Sequence, residues 1–288
     1  MSNGALSWTN RVLLDTNGVS VGAAQGAFTA NAIDAAYPAT NATDPDPSLV
    51  TQVDYQTAAG APYESYVEAN WTSNLDVRVV AALNVRLASA VVGVRFAVLN
   101  AAGSTLETTT QIAYANLVAI PGSTDRFDIF AILSATRSVN RVRFQVQVPA
   151  SSTDNFEVGY LWAGPGIIWP SGWGVDWSLS GVDASRVVRA DGGGYSAYRY
   201  PTRKTLSLSK RGMSYVDAMG TLGNSGALSF RQCMLEAGVS SPVIAISSDD
   251  DAHTAQTMSA YALISNMPSI DNLGAGKFGT GLVVEQIR

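Results

Sequence analysis

The 288-residue chain is poor in several residue types, and each shortage excludes something. It has one cysteine, Cys233, and one histidine, His253. A single cysteine rules out a disulfide within the chain, and the two residues together are too few for a Cys/His metal site. Any Ser-His-Asp triad would have to use His253. That residue ends the acidic run Asp249-Asp250-Asp251, and carboxylate neighbours favour imidazolium over the neutral base a triad needs. No catalytic residue is assigned. Charged residues make up 14% of the chain, against roughly 25% in an average soluble domain. Three lysines stand beside fifteen arginines, and the net charge is -5. No basic excess is available to neutralise phosphates, which argues against a nucleic-acid partner. No apolar run reaches the roughly 18 residues of a membrane-spanning helix. The stretch Met1 to Arg11 lacks the basic and apolar regions of a signal peptide, so synthesis in a cytoplasm is the expectation.

The chain is nevertheless 47% apolar, a globular composition, and its length allows two domains. A surface this poor in charge is built from small polar residues or is covered by partners. That is a first pointer to an assembly component, an oligomer or part of one.

Period-2 alternation is the strongest pattern. From Arg141 to Val148, Val142, Phe144, Val146 and Val148 alternate with Arg and Gln, as in a strand with one wet face. Val92, Val94, Phe96 and Val98 repeat the pattern, and so do Val77, Val79, Ala81 and Leu83. Phe127 to Leu133 is more continuously apolar and reads as more deeply buried. Turn clusters lie at Asn100–Ser104, Pro121–Asp125 and Pro149–Asn155. Short strands between such turns predict a mainly β chain, with an antiparallel, jelly-roll-like sandwich over residues 20–163 after an N-terminal arm or strand over 1–19.

A composition shift follows at residues 164–180, a junction rich in Trp, Gly and Pro. Trp162, Trp169, Trp173 and Trp177 are four of the six tryptophans of the chain. They are the candidate interface residues, at the domain junction or against a partner chain, because large aromatics anchor interfaces. The competing reading is stacking on sugar rings. Residues 181–288 predict a smaller β-rich domain with about one helix. Arg186–Arg189, Thr205–Ser209, Pro242–Ile246, Tyr261–Ile264 and Leu282–Val284 read as strands, with a loop at Asp191–Gly194. Ser229 to Ala237 reads as the helix, with Phe230, Met234 and Ala237 on one face and Gly238 as its C-terminal cap.

Other motifs favour plain readings. Asp249-Asp250-Asp251 lacks the alternating ligands and central glycine of a calcium loop and reads as a turn. Asp44-Pro45-Asp46-Pro47 reads as a rigid turn and not as a paired-carboxylate site, since proline holds the residue before it extended. Cys233 reads as a small buried hydrophobe. No metal or cofactor is expected.

Several segments resemble tail-tip or baseplate structural proteins of tailed bacteriophages, in which a discoidin-like, galactose-binding-type jelly roll precedes a smaller β-rich domain. They are Asn41–Ser48, Phe156–Pro165, Trp169–Trp177, Ser185–Arg189 and Gly279–Glu285. Ser48-Leu49-Val50-Thr51-Gln52 stand where the related proteins carry a basic and aromatic stretch. The resemblance implies a virion building block made in the host bacterial cytoplasm, packing against copies of itself and other phage tail proteins, without catalysis or cofactor. The alternative it implies is a module that attaches the particle to a host-surface glycan.

Overall fold

A computed structural model of the chain describes residues 4–8, 10, 28–30, 36–38, 41–42, 44, 46–55, 65–149, 155–169, 177–182, 185–189, 195–198, 203–220 and 228–287. The strands in its first half are β1 (Gly4–Ser7), β2 (Phe28–Ala30), β3 (Thr51–Asp54), β4 (Ser65–Arg86), β5 (Gly93–Leu99), β6 (Thr105–Thr108), β7 (Ile112–Ala113), β8 (Arg126–Gln147), β9 (Asn155–Val158) and β10 (Tyr160–Gly164). The second half adds β11 (Ile167–Trp169), β12 (Trp177–Val182), β13 (Arg186–Arg189), β14 (Tyr195–Tyr198), β15 (Arg203–Met213), β16 (Val243–Ile246), β17 (Ser259–Ile264), β18 (Ile270–Gly274) and β19 (Lys277–Gln286). Its helices are α1 (Tyr215–Met219), α2 (Phe230–Ala237) and α3 (Ala252–Thr257).

The sandwich is organised by two strands of 22 residues each, β4 and β8. They pair with each other antiparallel along their length, with register shifts between Asn70 and Leu75, Val77 and Val79, and Ala82 and Val85. Such bulges bend a strand and increase its twist. Each strand therefore serves two layers. Ser65–Asn70 of β4 pairs with Arg141–Val146 of β8, which also pairs with β5; this is the outer layer. Val79–Arg86 pairs with Arg126–Ile132, and β10 joins the far side of β4; this is the middle layer. Val67, Phe96, Phe144, Val80, Ile129, Phe156 and Leu161 belong to one core between the layers. The Phe96 and Phe144 rings lie 5.3 Å apart. The expected antiparallel sandwich is present, and the runs Phe127–Leu133 and Arg141–Val148 are two ends of a single strand.

The second half forms a sheet in the order β11-β1-β16-β17-β19-β15-β12, with β18 beside β19. The N-terminal strand β1 lies inside this sheet, paired antiparallel to both β11 and β16. On one face, Leu6, Val243, Ala245, Ala260, Ala262 and Leu208 share a core with Ala218 of α1 and Phe230, Cys233 and Ala237 of α2. On the other face, Ala5, Ile244, Ile246 and Tyr261 pack against Val79, Ala81, Leu83, Phe130, Tyr160 and Trp162 of the middle layer. The stack is thus outer sheet, middle sheet, second sheet and helices.

The predicted helix stands at α2. The Ser229 hydroxyl accepts the Gln232 N–H, and Gly238 takes a positive φ of 54° after its end. Among the described residues two further helices occur, α1 with five residues and α3 with six. Both are too short to show a helical period in sequence, which is why one helix was the expectation. Asp251 caps α3 by accepting the Thr254 N–H, so the acidic run is a turn that opens a helix. β13 and β14 pair as a separate hairpin; the loop Asp191–Gly194 between them lies outside the described residues.

Candidate functional site

Two of the four candidate tryptophans are buried, each in a different core. Trp162, on β10, is 1% exposed and belongs to the core between the two sheets. Its indole N–H donates to the Ser7 hydroxyl (3.1 Å), which donates to the Pro165 carbonyl (2.6 Å). Its ring lies 6.1 Å from Tyr261 and 6.4 Å from Tyr160. Trp169, on β11, is buried in the helix-side core with Trp8 and Ile167. Trp177 opens β12, paired with Leu208. Trp173 lies outside the described residues.

Two amide side chains satisfy the edges of the middle layer. Asn10 donates to the Leu161 carbonyl (3.0 Å) and the Tyr160 hydroxyl (2.9 Å), and accepts the Ala163 N–H (3.0 Å). On the opposite edge, Gln256 accepts the Phe130 N–H (2.9 Å) and donates to the Phe130 carbonyl (3.1 Å). Unpaired backbone groups in a buried strand are costly, and each amide replaces a missing neighbouring strand.

At the rim of this junction lies a cavity of about 180 Å³, lined by Asp46, Pro47, Ser48, Leu83, Asn84, Ile120, Asp128, Tyr261 and Ile287. The sandwich supplies the polar groups, and the second half contributes Tyr261 and Ile287. Asn84 stands at the bulge of β4 with φ 51°, a left-handed conformation that asparagine tolerates better than most residues. Its amide donates to the Pro47 carbonyl (2.6 Å), tying the Asp46–Ser48 loop to the strand. Gly159 makes room for that loop: a Cβ there would stand 2.1 Å from the Pro47 carbonyl oxygen. Within the loop the Asp46 N–H bonds Asp44 and the Ser48 N–H bonds Asp46, each at 2.9 Å, so the Asp-Pro pair is the turn its sequence predicts.

Both carboxylates of the cavity accept hydrogen bonds from the protein. The Ser48 backbone N–H, followed by its hydroxyl, keeps the Asp46 carboxyl below its ordinary pKa. Asp128 accepts the Asn84 N–H on one oxygen (3.0 Å) and the Gln286 amide on the other (3.1 Å). Arg126 donates to the side-chain amide oxygen of Asn84 (3.2 Å), but another of its nitrogens is paired with Glu157 at 2.7 Å, and Glu157 also pairs with Arg86. Among the described residues, none that lines the cavity is cationic. Tyr261, 3% exposed, forms part of the wall, and burial pushes its hydroxyl up to about 12. The cavity thus combines aromatic and aliphatic walls with carboxylate, amide and hydroxyl groups.

Sequence reasoning missed that the Asp46 loop and Asp128 line one cavity. The available signal was Asp128 itself, the one charged residue in the apolar run Phe127–Leu133. Cys233 is buried, and burial pushes its thiol up, as an inert core thiol requires. Among the described residues no three His, Cys, Asp or Glu side chains are grouped to hold a metal, and no helix is long and apolar enough to cross a membrane.

No protein-family model and no curated protein matches the chain. Among solved structures, similar ones include a fucose-binding module from Streptococcus pneumoniae (TM-score 0.38, 10% identity, 55% of this chain and 95% of that one). Another is the lectin-binding domain of lectinolysin complexed with Lewis b (TM-score 0.37, 11% identity, 55% and 97%). A third is chitosan-binding module 1 from a chitosanase/glucanase of Paenibacillus sp. IK-5 (TM-score 0.36, 19% identity, 55% and 99%).

Proposed function

We propose that the chain is a non-catalytic carbohydrate-binding protein that holds one sugar residue in the junction cavity. One observation carries this reading: the cavity joins apolar walls to hydrogen-bond acceptors that the protein's own donors fix in place. Sugar hydroxyls donate to such acceptors, while the C–H faces of the ring pack on aliphatic and aromatic side chains. At about 180 Å³ it is smaller than the roughly 300–1,000 Å³ of pockets for drug-sized ligands, which suits a single ring and not a chain. Cleavage would need a carboxyl group held protonated near neutral pH. Asp46 is pushed in the opposite direction. The site is therefore suited to bind and not to hydrolyse.

The test is titration of the full chain with a panel of monosaccharides, with product analysis on host-envelope polysaccharides in parallel. Saturable binding without cleavage, weakened at least about tenfold by Asp128→Asn, is the expected result. Binding of no sugar, or cleavage that depends on Asp46 and Asp128, contradicts it.

A second reading, a building block of a bacteriophage tail tip that works by protein–protein assembly, is favoured by a separate surface. Tyr215 and Val216 are each about half exposed, and the Tyr215 ring lies 5.9 Å from Phe278. Apolar side chains grouped on a surface this poor in charge suit an interface. Light scattering of the purified chain checks it, with a concentration-dependent rise in mass expected and a persistent monomer counting against it.

A further inference from the structure

We propose that the ligand is an oligosaccharide held in two subsites, with one ring in the junction cavity and the next in a second cavity beside it on the same sheet. The inference rests on the carbohydrate-binding reading and goes beyond it by naming the ligand class, a chain of linked sugars. The second cavity has a volume of about 330 Å³, and its lining includes Arg203, Val239, Leu263, Ser265, Glu285 and Ile287. Ile287 also lines the junction cavity, so the two adjoin at that side chain. The register of the second sheet gives their spacing. The Ile287 N–H donates to the Tyr261 carbonyl (3.0 Å), and Leu263 stands opposite Glu285. Tyr261 and Leu263 are two residues apart on β17, and Ile287 follows two residues after Glu285 of β19, so both rows point to one face. The row Tyr261–Ile287 belongs to the junction cavity. The row Leu263–Glu285 belongs to the second cavity, roughly 6–7 Å further along the strands. That step is comparable with the advance from one ring to the next in a linked chain.

The second cavity carries the groups a sugar ring needs. Leu263, Val239 and Ile287 offer aliphatic surface to the ring C–H groups. Arg203 and Glu285 pair at 3.5 Å, with their side chains 45% and 41% exposed. A sugar hydroxyl both donates and accepts, and this pair sets a carboxylate that accepts beside a guanidinium that donates. The two residues stand on neighbouring strands, β15 and β19, where Thr205 lies opposite Glu285, so the sheet fixes their spacing. The cavities also differ in enclosure. Tyr261 is buried in the wall of the first, whereas Val239 is half exposed at the second. The first therefore grips one ring, and the second adds affinity for a ring already tethered to it, because its binding is then an intramolecular event.

The experiment is calorimetric titration of the full chain with glucose, galactose, mannose and N-acetylglucosamine, each as the free sugar and as its 1,4- and 1,6-linked disaccharides in both anomeric forms. At least one disaccharide is expected to bind about tenfold or more tightly than the monosaccharides it contains. Glu285→Gln and Leu263→Ala should each cut the ratio of disaccharide to monosaccharide affinity to about two or less. Glu285→Gln replaces a solvent-exposed carboxylate by an amide of the same shape, so its result stands whatever Leu263→Ala does to stability. Disaccharides that bind no more tightly than their component sugars overturn the inference while leaving the carbohydrate reading intact. A disaccharide gain that survives both substitutions overturns it as well, by placing the second ring elsewhere. Binding of no sugar of either length overturns both readings.

Discussion

One strand shows two environments. In its first six residues, Ser65 to Asn70, β4 places Val67 and Ala69 in the sandwich core and turns Tyr66, Glu68 and Asn70 to the other face. From Val79 to Leu83 all five side chains are buried. The first stretch has one packed face, and its other face carries a polar network in which Glu68 pairs with Arg143 at 2.6 Å and Arg143 lies 4.1 Å over the Tyr66 ring. The second stretch is covered on one side by the outer layer and on the other by the second sheet. Strands of a sheet covered on both faces read as continuous apolar runs, and those with a polar face alternate. The contrast along β4 and β8 therefore identifies which layer lies in the middle. It also locates the exception, Asp128, at the rim where the second sheet stops covering the first.

The largest effect is expected from Trp162→Ala, which removes a side chain between two sheets and leaves the Ser7 hydroxyl without its indole donor. A loss of about 3–5 kcal/mol in denaturant unfolding is predicted. A loss below about 1 kcal/mol would mean that the two sheets do not depend on each other for stability.

Gln256→Ala should cost less, about 1–3 kcal/mol, because it leaves the N–H and carbonyl of Phe130 unpaired at a buried edge. Hydrogen exchange at Phe130 should accelerate in the same variant. Unchanged protection would show that the edge is satisfied in another way.

Alkaline titration separates the layers through Tyr160. Burial raises its hydroxyl pKa above the ordinary value, with nearby Tyr261 acting in the same direction. Above about pH 10 the unfolded chain releases this proton while the folded chain retains it. Stability then falls with rising pH, because the folded state binds more protons than the unfolded one. Tyr160→Phe should flatten that fall, and an unchanged slope would place the alkaline sensitivity elsewhere.

Tyr66→Ala on the outer layer should have the smallest effect, about 0.5–1 kcal/mol for its contact with the Arg143 guanidinium. A cost as large as that of Trp162→Ala would erase the distinction between the layers.

The alternation at Val142, Phe144 and Val146 and the continuous run at Phe127–Leu133 made the two kinds of layer legible in sequence. Gly238 and the shared face of Phe230, Met234 and Ala237 marked the helix, whose N-cap is Ser229. What was not legible depends on contacts far apart along the chain. β1 enters the second sheet beside a strand some 160 residues away (Ala5 opposite Ile168), and no local pattern encodes that choice. The segment Ser134–Asn140 has little apolar periodicity, yet it continues β8 because β4 pairs with it across a bulge. Trp162 and Trp169 were singled out by their size and spacing, but the sequence could not say that they face different cores. The cavity was hidden for the same reason: the Asp46 loop, Asn84, Asp128 and Tyr261 meet only after both sheets are in place.

The most direct test of the carbohydrate-binding account is a crystal structure of the full chain with the tightest-binding monosaccharide of the panel. The account predicts one sugar ring between the Asp46–Ser48 loop and Tyr261, with a donor group of the ring within hydrogen-bond distance of Asp128. A sugar seated on the outer layer beside Tyr66 and Arg143, with the junction cavity empty, would contradict it.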